Sequence, residues 1–142
     1  MKNETSGEPR STREIALSCT TDLATQFHIH ASLSIIVNGV VQAIPGQVGV
    51  KSFCMNPIHT HDGSGQLHIE SPVRRDFTVD DFFAVWGETF SKEQILSNAA
   101  DNGHVITMTV NGKENQDFGQ YVLADDDQIV ISYEATAPSL TP

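Results

Sequence analysis

The chain has 142 residues, a single-domain length that buries about two-thirds of its unfolded surface and so supports one hydrophobic core. Eight Lys and Arg against 18 Asp and Glu leave a formal charge of −10. That balance opposes the phosphate neutralisation needed to bind nucleic acid or adhere to anionic membranes, so neither is an expected partner.

No run approaches the roughly 18 apolar residues of a membrane-spanning helix, and the N-terminus lacks the basic-then-apolar pattern of a signal peptide. A soluble chain with no integral membrane segment is expected. Residues 1–25 are rich in Thr, Ser and Glu, with only the short apolar patch Ile15-Ala16-Leu17, and read as a flexible N-terminal tail or linker. A single α+β domain over 26–135 and a C-terminal tail over 136–142 complete the expected organisation. Cys19 and Cys54 are too few for a disulfide framework. A bridge between them, a merely buried Cys54, and a soft-metal role for Cys54 beside Met55 all stay open.

From Phe27 to Val37 the chain is rich in β-branched and apolar residues and ends at Asn38-Gly39. Asn-Gly suits a hairpin turn because both central positions need positive φ, so Val40–Ile44 is the expected returning strand before Pro45-Gly46. A second hairpin is expected from residues 57–61 and 66–70 around Asp62-Gly63-Ser64-Gly65. In that register residue 61 faces 66, 59 faces 68 and 57 faces 70. Strand parity then sends His59, His61, Gln66, His68 and Glu70 to one face and Ile58, Thr60, Leu67 and Ile69 to the core.

Residues 77–87 read as a short helix, with Thr78 as N-cap, acids in the first turn and Gly87 as the stop. Val79, Phe82, Phe83 and Trp86 have i, i+3, i+4, i+7 spacing, the stripe a helix buries. Ser91 to about Ala100 reads as a second helix, with Ser91 and Gln94 placed as a capping box and Asn102-Gly103 closing it. Strands are expected over 104–110, before Asn111-Gly112, and over 128–133. The order hairpin, hairpin, helices, strand, strand points to α+β with a small mixed or antiparallel sheet. The closing segment, Val110-Asn111-Gly112-Lys113 followed by Tyr121 to Ile131, resembles the last strands of ubiquitin-like β-grasp domains.

Five of the six histidines fall between residues 28 and 68, as His28-x-His30, His59-x-His61 and His68-x-Glu70. Neutral imidazole is the commonest protein ligand for transition metals, and alternation along a strand sends both histidines of an H-x-H to one side. His59, His61, His68 and Glu70 therefore share a hairpin face, and His28 and His30 complete or double the set if their strand docks alongside. One H-x-H on a polar strand face carries little weight; two pairs with His68 and Glu70 carry far more. His104 lies outside the pattern, as an ordinary strand-start residue.

An imidazole set with a carboxylate suits Cu, Zn, Fe or Ni, and raw affinity places copper first and zinc second. A blue-copper centre needs Cys and Met late in a ligand loop, whereas Cys54 and Met55 precede His59. Asp62 reads first as a turn former. Glu70 is a ligand, an outer partner that fixes an imidazole tautomer, or a candidate acid/base.

The run F-H-I-H-A-x-L-x-I-x-V-N-G, then I-P-x-x-x-G, Cys54, I-H-T-H-D-x-S-G-x-x-H-I-E-S-P and F-T-x-x-x-F-F-x-x-W-G, over about residues 26–90, resembles a family of small bacterial and archaeal proteins without a settled activity. The resemblance implies an extracytoplasmic setting and a coherent H-T-H-D-x-S-G-x-x-H-x-E motif. The leading expectation is a metal-binding protein that uses His28, His30, His59, His61, His68 and Glu70 for capture, delivery or sensing of an ion. A mononuclear metalloenzyme with an open coordination position, and a non-metal interaction domain with a pH-responsive histidine face, are the alternatives. No nucleophile-elbow, phosphate-loop or C-x-x-C motif is present.

Overall fold

A computed structural model describes residues 10–21 and 26–136. In chain order the elements are α1 (Thr12–Ala16), β1 (Phe27–Val37), β2 (Val40–Gln42), β3 (Ile58–His59), β4 (Gln66–Ser71), α2 (Val79–Trp86), β5 (Gln94–Ile95), β6 (Asn98–Ala99), β7 (His104–Val110), β8 (Lys113–Glu114), a 3-10 turn (Phe118–Gln120) and β9 (Asp127–Ala135). The fold is α+β, as its sequence implies. The main sheet runs β3-β4-β1-β9-β7-β8, and β2 pairs with the far end of β1. β1 and β9 are parallel, and the other pairings in this sheet are antiparallel. The first and last long strands form a central parallel pair.

The turns form for the reasons their residues imply. Asn38 and Gly39 have φ of 49° and 83°, and Asn111 and Gly112 have 54° and 84°, so each Asn-Gly supplies the two left-handed positions of a tight hairpin. α2 starts at Thr78, whose side chain accepts from the Asp81 N–H while the Asp81 carboxylate accepts from the Thr78 N–H. It ends at Gly87, at φ 84°. Val79, Phe82 and Phe83 are buried, and Trp86 packs at the margin of the core. Truncating the fully buried Phe82 to Ala would cost about 3–5 kcal/mol.

Strand parity sets the core. Ala31, Leu33 and Ile35 of β1, Leu67 and Ile69 of β4, Ile58 of β3, and Ile129 and Ile131 of β9 are buried together. His28 and His30 alternate with these on β1, and His68 and Glu70 alternate with them on β4, so the histidines occupy the opposite face.

Three expectations about helices and strands change. Ser91–Ala100 is not a helix: β5 and β6 pair as a small hairpin, Gln94 opposite Ala99 and Ile95 opposite Asn98, and Leu96 adopts φ 55°. The Ser91 hydroxyl does accept from the Gln94 N–H, yet it also accepts from Glu93 and closes a turn. The segment also lacks a sustained apolar stripe to hold a helix down. Second, the ladder of the 57–70 hairpin is only two pairs long. After His59 the chain leaves β4, and Thr60 exchanges backbone bonds with Val48 and Gln47 instead. Third, the returning strand after Asn38-Gly39 ends at Gln42 rather than Ile44.

Within the segment read as a tail, the described part carries α1, capped by a Ser11–Glu14 capping box, with Ile15 and Ala16 in the core. Cys19 and Cys54 form a disulfide. Residues 1–9, 22–25 and 137–142, with most of the expected C-terminal tail, lie outside the described residues.

Candidate metal centre

β4 lies between β1 and β3 and brings three histidine-bearing strands together. His30 pairs with His68, His28 with Glu70, and His59 with His68 across the two ladders. The expected facing of 59 and 68 is met, and 57 lies beside 70 through a 2.8 Å bond from the Glu70 N–H to the Pro57 carbonyl. No ladder forms between 61 and 66, but the His61 ring still joins the group.

The six residues form a closed circuit. Ring centres are 4.8 Å apart for His28 and His30, 4.7 Å for His30 and His68, 4.5 Å for His68 and His61, and 4.8 Å for His61 and His59. Glu70 closes it, with Oε2 3.2 Å from His28 Nε2 and Oε1 3.4 Å from His59 Nε2. Within it, His28, His30 and His68 each offer a ligand atom, all within 4.8 Å of one another, so this trio could hold a metal ion. Nitrogens about 2.0–2.1 Å from one tetrahedral ion sit roughly 3.3 Å apart, so binding one ion requires the side chains to rotate towards each other.

Electrostatics keeps part of the cluster ready to bind. Burial, reinforced by the neighbouring His61, His30 and His59, pushes the His68 imidazole down to about 4. His59 is also held below the ordinary imidazole value, first by burial, against the opposing pull of its bond to Asn56 and of Glu70. Both are neutral at pH 7, the form that coordinates metals.

His59 was expected on a polar face, but it has no solvent exposure. Its Nδ1 lies 2.7 Å from the Asn56 carbonyl, which only accepts, so Nδ1 carries the proton and Nε2 the lone pair. That Nε2 is buried and has no hydrogen-bond partner. The Asn56 side chain donates to the Ala16 carbonyl at 3.0 Å, and the Asn56 N–H donates to the Gly49 carbonyl at 2.8 Å. Asn56 therefore ties α1 to the site, a role no local motif announces.

Gly49, at φ 77°, covers the same strand: a Cβ there would lie 2.8 Å from the Ile58 carbonyl oxygen and 3.1 Å from His59 Cβ. Asp62 accepts from both the backbone N–H and the hydroxyl of Ser64, which holds its carboxyl below the ordinary range and makes it a turn former. Cys54 is bonded to Cys19, which removes its thiolate from any ligand set. His104 stands apart, against Asp101 at 2.9 Å and stacked on Tyr133.

Among the described residues, no helix is long and apolar enough to cross a membrane. Comparison with protein-family models, curated proteins and solved structures finds no match.

Proposed function

We propose that this protein binds a transition-metal ion at His28, His30 and His68, for capture, delivery or sensing of that ion. The observation that carries the reading is the convergence of three imidazole ligand atoms within 4.8 Å from two adjacent strands. Backbone pairing fixes His30 opposite His68, so the ligands are positioned before an ion arrives, which lowers the cost of binding. An all-imidazole set with a nearby carboxylate and no thiolate favours Cu(II) first and Zn(II) second. The Cys19–Cys54 disulfide is compatible with an oxidising, extracytoplasmic setting, and we place the protein there.

Metal titration of the metal-free chain in competition with a chromophoric chelator tests this. The expected result is Cu(II) or Zn(II) uptake tighter than about 1 µM, weakened on the order of 100-fold in His30→Ala and His68→Ala. Uptake no tighter than micromolar, or uptake by both variants equal to that of the wild type, rejects the reading.

A further inference from the structure

We infer that the cluster holds a second ion, at His59 Nε2 and Glu70 Oε1 with His61 beside them, linked to the first position through Glu70. This rests on the metal-binding reading above and extends it from one ion to a coupled pair.

The strongest ground is the buried nitrogen of His59. Its other ring nitrogen is committed to the Asn56 carbonyl, so the Nε2 lone pair points away from that bond with no donor to meet it. A buried polar atom left unpaired is costly, and a native fold retains one where something else occupies its lone pair. The charged group nearest at hand is a carboxylate oxygen, Glu70 Oε1, at 3.4 Å. Two acceptors facing each other at that distance repel unless a cation lies between them. The spacing also matches the roughly 3.3 Å that separates two ligands of one tetrahedral ion.

The same carboxylate turns its second oxygen to the other half of the cluster, with Oε2 3.2 Å from His28 Nε2. One carboxylate thus faces two imidazoles that belong to different groups, His28 with His30 and His68, and His59 with His61. Two-metal sites hold their ions about 3.5–4 Å apart with shared ligands of this kind. His61 is exposed, with its ring 4.8 Å from that of His59, and can turn inward as the third ligand. The bond from Nδ1 to the Asn56 carbonyl orients His59, and Gly49 packs close to its Cβ, so the second position is built on a ligand that is already aimed.

The test loads the metal-free full chain with Cu(II) alone, counts copper per chain after dialysis, and integrates the electron paramagnetic resonance signal. The wild type is expected to hold two copper ions per chain, with a signal below two isolated spins because neighbouring ions couple. Glu70→Gln and His59→Gln, each checked for a native unfolding transition, are expected to hold one ion with an isolated-ion spectrum. Glu70→Gln carries the test if the buried His59 variant does not fold. One ion in the wild type overturns this inference and leaves the metal-binding reading standing; none overturns both. Two ions that persist in Glu70→Gln place the second elsewhere, and a signal of two isolated spins refutes the coupling; either overturns the inference. A proton shared between His59 and Glu70 in place of an ion corresponds to the one-ion result.

Discussion

Replacing both Cys19 and Cys54 by Ala removes the clamp that joins the N-terminal helix to the loop behind the site. The disulfide spans 35 residues. The loop-entropy relation assigns a closure of that length about 3.8 kcal/mol of stability at 25 °C. For a domain of this size that corresponds to a loss of roughly 10 °C in melting temperature. Urea unfolding followed through the fluorescence of Trp86, the one tryptophan in the chain, reads the change directly. The consequence extends to the site. The bridge lies next to the Thr20 and Met55 backbone pair, one residue before Asn56, whose carbonyl holds His59 and whose side chain holds Ala16. The double variant is therefore expected to lose metal affinity about 10-fold as well, since an outer partner that orients a ligand is worth on that order. Unfolding free energy within about 1 kcal/mol of wild type would refute the clamp.

Other substitutions probe separate links. Gly49→Ala forces a side chain into a left-handed position and against the Ile58 carbonyl, at an expected cost of about 2–4 kcal/mol in chemical denaturation; a change under about 0.5 kcal/mol would show that the loop yields freely. The depressed His68 value means that the unfolded chain takes up a proton near pH 6.5 while the folded one resists until about pH 4. Stability of the metal-free protein should therefore be intact above pH 6.5 and fall progressively towards pH 4, and His68→Phe should flatten that slope. An unchanged slope in this variant would contradict the assignment. Asp127 is buried and accepts from Asn111 Nδ2, the Tyr121 hydroxyl and the Ala124 N–H. Asp127→Ala should cost about 2–4 kcal/mol. Burial first, and then Asp127, pushes the Tyr121 hydroxyl up to about 12, so the same variant should shift its absorbance titration towards 10. A Tyr121 titration that does not move would exclude the bond.

The histidine geometry was legible because strand parity is a local rule. H-x-H at 28–30, and the 59 and 68 facing, follow from alternation and one turn, and β1 docks beside β4 with His30 opposite His68. Thr78, Gly87 and both Asn-Gly turns were legible for the same reason, since each satisfies a backbone need within a few residues. The contacts that cross long distances along the chain were not. Asn56 reaches Ala16 over 40 residues, and the burial of His59 depends on the covering loop around Gly49. Nothing in the local pattern marks either one. Ser91–Ala100 shows the converse failure: a local cap signal was present, but pairing of Phe90 with Ile95 and the left-handed Leu96 overrode it. The capping box of α1, Ser11 with Glu14, lies in the stretch whose polar composition reads as a tail, and it is the structure that shows it.

The measurement closest to the central claim is anomalous diffraction from crystals of the metal-loaded protein at the absorption edge of the bound ion. The expected result is a peak about 2.0–2.2 Å from a nitrogen of each of His28, His30 and His68. A loaded protein whose anomalous peaks all lie away from these three rings, for instance beside His104 and Asp101, would contradict it.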